Sequence, residues 1–331
     1  MQEEIYETIV CLASEVAPGD SEASVLRLKD GRLLLAYTYF YGAEATNMSP
    51  ARISAKLSED QGRTWGKRFP LQEKGEGINV ITPSLIRLKS GDIALFFLSK
   101  THRDKCVPCI KKSQDEGKSW GKPSNITKEY PLYDMANESE VQLSTGRILV
   151  PICRLSWERR YVSFCLCSDD GGRSWRKSKN EIDLPREGAM DPHLVELKSG
   201  KVLMTLRNQL GRVYLAFSHD QGYTWTNVDS TDLQSPDSPI TIKRIPQTGD
   251  LLMVWNNSRD ERRPLTSAIS NDEGENWKNF KDMETAEEYA YSHPSITFID
   301  ENALLTYNLY DEKTKWVSLK LKKLPIKWFY S

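Results

Sequence analysis

The stretch SDDGGRSW, residues 168–175, recurs four more times: SEDQGRTW (58–65), SQDEGKSW (113–120), SHDQGYTW (218–225) and SNDEGENW (270–277). Successive copies begin 55, 55, 50 and 52 residues apart, so the chain is built from units of that size. Each copy reads Ser-x-Asp-x-Gly-x-(Thr/Ser/Asn)-Trp. The Asp suits a turn in which it accepts backbone N–H bonds, and the Gly supplies a positive φ. The hydroxyl residues can tie the turn to itself, and the Trp offers a large apolar surface to a neighbouring unit. Turn chemistry accounts for every residue, and five copies cannot all face one site. The copies are expected to be structural clips, not a catalytic or metal-binding array.

A second repeat precedes each clip and occurs six times: ASVLRLKDGRLLLAYTY, PSLIRLKSGDIALFFLS, ESEVQLSTGRILVPICR, PHLVELKSGKVLMTLRN, PITIKRIPQTGDLLMVWNN and PSITFIDENALLTYNLY. Each has a short alternating or apolar run, a polar turn usually bearing Gly, and a strongly apolar run, the pattern of a β-hairpin. Another β-rich run leads into the clip, as in ARISAKLS or YVSFCLCS, and room for a short outer strand follows the Trp. Four antiparallel strands in about 50 residues make a propeller blade. The expected fold is all-β: a six-bladed β-propeller of four-stranded blades with five clip turns, one domain over residues 1–331. The last unit has no clip. Its outer strand is expected at KWVSLKLKK, with IYETIVCL from the N-terminus pairing into the same blade to close the ring.

The bulk composition excludes several function classes. A net charge of −1 over 331 residues gives no support for nucleic-acid or membrane-surface binding. No apolar run reaches the length of a membrane span. The start, MQEEIYETIV, is acidic and alternating, unlike a signal peptide. A cytoplasmic location is expected for the chain as it stands, or a secreted or periplasmic one if a leader has been removed. Cys106 and Cys109 have a redox or metal spacing but no second pair at zinc spacing, and Cys165 and Cys167 share one strand face. With Cys11 and Cys153 they are expected to be small buried residues in a reducing compartment. No cofactor or metal is expected, and no pattern specifies an oligomeric state.

In a propeller the innermost strand of each blade starts near the axis. Registering the six hairpins on their turns places Glu22, Thr82, Asn137, Asp191, Ser238 and His293 at equivalent positions there. All six are polar, and Pro follows four of them. Six polar side chains converging on one mouth point to a ligand site. The ends of the second strands and the starts of the third return to this mouth and carry Asn47, Arg207, Arg212, Arg262, Arg263 and Asn308, among others. Arginines suit a carboxylate, which the guanidinium fork binds bidentately. Arg207 directly ends an apolar strand and is expected near the axis. Trp157, Tyr39 and Tyr41 offer aromatic faces on which a ligand could stack.

The clips resemble Asp boxes, and with six hairpins in register the chain resembles the sialidase (neuraminidase) superfamily. That resemblance implies a retaining glycosidase with a Tyr nucleophile assisted by a Glu, an Asp acid/base and three arginines on the substrate carboxylate. AYSHPSITF resembles the family's Tyr-Ser segment, which makes Tyr291 the implied nucleophile. AMDPHLVELKSGKVLMTLRN resembles the segment of the assisting acid and second arginine, here Asp191 and Arg207. ERRPLTSAIS resembles the third-arginine segment and points to Arg263. Two positions depart from the pattern. Glu22 stands in SEAS, residues 21–24, where the family has its first arginine, and YGAEATNMSPAR holds Glu44 and Asn47 but no Asp.

The resulting expectation is a glycoside hydrolase of sialidase type, acting on an anionic sugar but not as a standard sialidase. Tyr291, Asp191, Glu22 and Glu44 are the catalytic candidates. Arg207, Arg263, Arg212, His293, Asn137, Asn47, Ser238 and Thr82 are the substrate-binding ones. Tyr291 is expected to face the mouth, two residues before His293. A uronic-acid-directed lyase, with Tyr291 or His293 as base, and a non-catalytic carbohydrate-binding propeller are the alternatives. A Tyr291 bonded to a carboxylate at the axis would favour catalysis, and one turned away a binding module.

Overall fold

The computed structural model describes residues 5–129 and 131–331. Residues 1–4, the acidic start of the N-terminal stretch, and Tyr130 lie outside the described residues. In the first unit, strands Gly19–Arg27, Leu33–Phe40, Ala51–Ser58 and Phe69–Gln72 each pair antiparallel with the next. The hairpin turn is closed by the Leu28 N–H donating to the Arg32 carbonyl at 2.8 Å, with Gly31 at φ 92°. A side chain is strained at that φ, which accounts for the Gly. The same bond recurs at Leu88–Asp92, Leu143–Arg147, Leu197–Lys201 and Ile245–Asp250.

Units two, four and five repeat the arrangement. Unit three departs from it: its inner strand is broken into Tyr133–Asp134 and Val141–Gln142, both paired with Ile148–Leu155. In unit six, strands Tyr289–Ile299, Asn302–Asp311 and Val317–Pro325 are completed by the N-terminal strand Tyr6–Cys11, with Tyr6 opposite Lys323 and Thr8 opposite Leu321. The two ends of the chain thus share one sheet, as the hairpin count requires. The one helical segment among the described residues is a short 3-10 turn, Ile326–Phe329.

The second strand of each unit is buried along most of its length, which is why LLLAYTY and LLMVW read as continuous apolar runs. The buried apolar residues form six clusters, one at each seam between neighbouring units; the cluster between units two and three also takes in Phe40 and Ala51 of unit one. One joins unit six to unit one through Leu304, Leu319 and Leu321 against Val25, Leu33 and Leu35. All six cysteines are buried free thiols, and Cys165 and Cys167 share the cluster between units three and four.

The clips repeat one hydrogen-bond pattern. In the first, Asp60 accepts from the Thr64 N–H at 2.8 Å, the Thr64 hydroxyl at 2.6 Å and the Ser58 hydroxyl at 2.8 Å. The Ser58 hydroxyl oxygen in turn accepts the Gly62 N–H at 2.8 Å. Asp115, Asp170, Asp220 and Asp272 make equivalent bonds. Each clip Trp packs into the cluster shared with the preceding unit; Trp175, for example, meets Phe96 edge-on at 6.2 Å. In two clips a glutamate adds a bridge to an arginine. Glu116, at φ 60°, takes the Arg87 guanidinium bidentately at 2.8 Å and the Lys29 N–H at 2.9 Å, and so bridges units one and two. Glu273 does the same with Arg244 and Lys198 between units four and five.

Candidate functional site

At the other end of the hairpins the inner strands do not run straight. The pairing slips by one residue between Ser21 and Ser24, Ile81 and Ser84, Met190 and His193, and Ser292 and Ser295. At these bulges Glu22, Thr82, Asp191 and His293 have φ of 55°, 59°, 40° and 50°. Non-Gly residues adopt such values at a cost, and bulges re-aim side chains next to functional sites. In unit three the positive φ falls on Glu138, one residue after Asn137. Asn137 still reaches the centre: its amide donates to the carbonyls of Ala23 at 2.9 Å and His293 at 3.4 Å, joining units three, one and six. Ser238 in unit five is buried without a bulge, and its hydroxyl finds no partner among the described residues.

Glu22 and His293 face each other across adjoining units, with Glu22 Oε1 3.9 Å from His293 Nε2. The other Glu22 oxygen accepts the Thr38 hydroxyl at 2.8 Å and the Thr82 N–H at 3.1 Å. Asn308 fixes the imidazole. Its Oδ1 accepts the Glu22 N–H at 3.1 Å, so its Nδ2 is the donor to Ser21 Oγ at 2.9 Å and to His293 Nδ1 at 3.1 Å. Nδ1 is thereby an acceptor, and the neutral ring carries its proton on Nε2, toward Glu22. Burial, with Arg262 and Arg207 adding to it, pulls His293 down to about 3 despite the nearby Asp191. Burial raises Glu22 to about 7 against the bonds from Thr38 and Thr82, and the Asp191 charge adds to the rise. Glu22 and His293 line a cavity of about 630 Å³, whose wall includes Asn47, Arg262, Arg263, Ser292 and Asn308. That volume suits a sugar-sized ligand.

Asp191 and Arg207 form a buried pair at 2.8 Å, and Arg207 Nε donates to Asp237 at 2.6 Å. Arg262 donates twice to the Asp237 backbone carbonyl, at 3.0 and 2.8 Å. Burial lowers Arg262, and the neighbouring Arg207 lowers it further. Burial acts against Arg207 too, but the two carboxylates more than offset it and hold its pKa up.

The BNR repeat-like domain family matches residues 75–304, more than two thirds of the chain. The chain belongs to this family, within the sialidase superfamily. A "Sialidase" of Bacteroides fragilis is 24% identical over 333 residues, covering 86% of this chain and 60% of its own length. "Sialidase-4" of Homo sapiens is 29% identical over 116 residues, covering 26% of this chain and 24% of its own. This BNR repeat-like chain therefore spans about 60% of the Bacteroides relative and a quarter of the human one. Among solved structures, the Trypanosoma rangeli sialidase superposes with TM-score 0.81 at 15% identity, over all of this chain and 61% of that one. A Hadza microbial sialidase gives 0.80 at 17% identity, over 97% and 68%. A Dyadobacter fermentans protein of unknown function gives 0.78 at 18%, over 97% and 98%. At these identities the likeness establishes the all-β fold.

Within the BNR repeat-like fold, the structure brings Glu22, His293, Thr82 and Asn137 together at the centre, with Asn47 on the cavity wall and the Asp191–Arg207 pair beside them. Five other expectations are corrected. Tyr291 does not face the mouth: it is fully buried in the apolar cluster between units five and six, edge-on to Tyr307 at 6.2 Å. Its hydroxyl makes no well-formed hydrogen bond among the described residues, and the Ala286 backbone offers a weak contact only. The bulge at His293–Pro294 is the reason. It breaks the period-two alternation, so Ser292 lines the cavity and Tyr291 turns into the core. Glu44 is exposed on its loop, outside the cavity wall formed by its neighbours Ala45 and Asn47. Arg212 lies on the surface, paired with Asp232 at 3.3 Å. Arg263 is on the wall but held by Glu261 at 3.0 Å, and the better buried arginine is Arg262. Trp157 is fully exposed, away from the cavity.

Asn308 and Arg262 are expected at this mouth from the sequence but without a role, and Asp237 and Asp134 are not singled out by it. Asp134 is pushed up to about 7 by burial and by the charges of Asp191 and Glu22, against Arg207. None of these stands at a turn-registered position; each comes from a strand end or a loop that differs between units.

Proposed function

We propose that this protein is a carbohydrate-active enzyme of glycosidase type, built as a closed six-bladed propeller with one domain over residues 1–331. Six interfaces between six units support the closed ring, since an open array of six has five. The observation that carries the catalytic reading is Glu22. It is a buried carboxyl of raised pKa on the wall of the cavity, set against a neutral imidazole whose tautomer Asn308 fixes.

A carboxyl that titrates near neutrality can hold a proton until a leaving oxygen needs it. In this reading Glu22 gives its proton to the glycosidic oxygen as the bond to the anomeric carbon breaks. Asp191, ion-paired with Arg207, supplies negative charge against the developing oxocarbenium ion and takes the proton of the attacking water. His293 offers its Nε2–H to a sugar oxygen. Because Tyr291 is buried in the core, the phenol plays no part. The sugar bears an acidic substituent but is not a standard sialoside: Glu22 stands where a carboxylate would meet a cation, and Arg207 is already shared by two carboxylates.

The test is incubation with aryl sialosides, neutral aryl glycosides, and saturated and unsaturated uronides, with products read by mass. A hydrolase adds the mass of water across the cleaved bond. A lyase, in which Glu22 takes a proton rather than giving one, leaves an unsaturated product. Binding without turnover of any member would make the protein a carbohydrate-binding module, and efficient release of sialic acid would overturn the substrate assignment.

A further inference from the structure

The cavity over Glu22 and His293 adjoins a second, narrower cleft toward units two and three, and Asn47 lines both. The cleft is about 30 Å³, walled by Ile81 and Leu98, with Lys100, Asp134, Tyr133 and Tyr161 as its charged and hydroxyl-bearing side chains; the Tyr133 hydroxyl is paired with that of Thr127 at 3.3 Å. That is room for about one water-sized group, so it can seat a substituent of a sugar but not a ring. Lys100 is only 7% exposed, yet its ammonium makes no hydrogen bond or ion pair among the described residues. A lysine whose stem is buried while its ammonium stays open to the cleft and unpaired is available to a ligand anion. One Asp134 oxygen accepts the Met135 N–H at 2.9 Å, and the other takes no bond from a described residue.

The arginines expected to grip an anion are otherwise engaged. Arg207 is held by Asp191 and Asp237, Arg263 by Glu261, and Arg262 by the Asp237 carbonyl. We propose that the cleft seats a carboxylate carried by the sugar, with Lys100 as its cation and Tyr161 as a hydrogen-bond donor. The proposal rests on the glycan-binding reading of the adjoining cavity. Asp134 makes the subsite sensitive to pH. Its carboxyl titrates at about 7, so below neutrality it adds a third donor, and above it a repelling charge. The other groups that bear on it are Glu22, Asp191 and Arg207, together with the Cys106, Cys153 and Tyr161 side chains, which burial keeps neutral.

The test is calorimetric titration of the full chain with glucuronate, galacturonate and N-acetylneuraminate against methyl glucoside and methyl galactoside. At least one acid is expected to bind about tenfold or more tightly than the neutral sugars, the scale of a hydrogen-bonded charge. Lys100→Met should bring that ratio near one and leave the neutral sugars within about twofold, and Tyr161→Phe should reduce it by about threefold. The preference should weaken as pH rises through about 7. The proposal is overturned by a wild type without preference for any acid, by a preference that survives Lys100→Met, or by one lost in Arg262→Met instead. If Lys100→Met fails a thermal-melting check, an unchanged preference in Tyr161→Phe overturns it. The readout is binding, so an absence of turnover would count against the glycosidase mechanism and not against this cleft.

Discussion

The two ends of each hairpin obey different rules. At the clip end, five turns repeat one pattern, and each Asp is satisfied by the N–H and side chain of the same later residue. At the mouth, the inner strands of four units bulge, the residue types differ from unit to unit, and polar atoms such as Ser238 Oγ have no partner among the described residues. Repetition marks what holds the fold; the breakdown of repetition marks what meets a ligand. The two ends also titrate in opposite directions. Bonds from Thr224 and Ser218 outweigh burial and hold Asp220 low, as their counterparts hold Asp115 at about 2. Their contribution to stability is present above the ordinary carboxylate range and is lost as pH falls through those lowered values. Glu22, raised to about 7, does the reverse: its contribution is complete below its unfolded value and is lost as pH rises through about 7.

The largest effect should come from the mouth. Glu22→Gln should lower kcat by about 10²–10⁴ while sugar affinity changes by no more than about threefold, since the amide keeps the shape and loses the proton. Wild-type activity should decline as pH rises through about 7, and the variant's residual activity should lose that limb. A Glu22→Gln enzyme of near-normal rate would dissolve the distinction between the two ends, because the mouth would then be structural as well.

Arg207→Met comes next. It leaves Asp191 and Asp237 without their shared cation, and removing one partner of a buried pair costs about 3–5 kcal/mol. Asp237 is partly exposed, so the lower end applies. Urea denaturation measures it, and adding Asp191→Asn and Asp237→Asn should recover part of the loss. No recovery would mean that Arg207 acts by packing.

The all-β arrangement of repeated four-stranded antiparallel sheets was legible in the sequence because its rules are local. Clip spacing, Gly at the hairpin turns and unbroken apolar second strands each report on neighbours a few residues away. The position of Glu22 and His293 was legible for the same reason, by counting back from those turns. What they touch was not. Asn308 meets His293 and Ser21 through partners 15 and 287 residues distant. Asp134 lies beside a strand break that no other unit shares. Lys100 sits at the end of an apolar run, FFLSK, with nothing local to tell a solvated lysine from a buried one. The orientation of Tyr291 was misread because counting by twos fails at a bulge, and the bulge is visible only in the pairing.

At the clip end, Asp220→Ala should cost about 1–2 kcal/mol through the lost bonds to the Thr224 N–H, the Thr224 hydroxyl and the Ser218 hydroxyl. Turnover per folded molecule should be unchanged. A variant of full thermal stability and no activity would place chemistry at the clips and invert the comparison.

The smallest effect is expected at Tyr291, and it bears most directly on how this chain differs from what its resemblance implies. Tyr291→Phe removes one hydroxyl from an apolar cluster formed with Tyr307, Leu265 and Met283. The ring, which does the packing, is kept. Because that hydroxyl has no well-formed bond, deleting it forfeits little and relieves a buried polar atom of its lost hydration. The neighbouring Tyr307 is the contrast. Its hydroxyl donates at 2.5 Å to Glu284, which Lys320 and Lys322 also hold at 2.7 and 2.8 Å, so Tyr307→Phe should cost about 1–3 kcal/mol where Tyr291→Phe costs less than about 0.5. Activity should remain within about twofold in Tyr291→Phe, since a phenol turned into the apolar cluster between units five and six does not reach a bound sugar. Steady-state rates and melting curves for the two phenylalanine variants decide the matter. Loss of turnover by 10²-fold or more in a stable Tyr291→Phe protein, on the scale of a lost catalytic group, would mean that unit six rearranges to swing the phenol into the mouth when sugar binds.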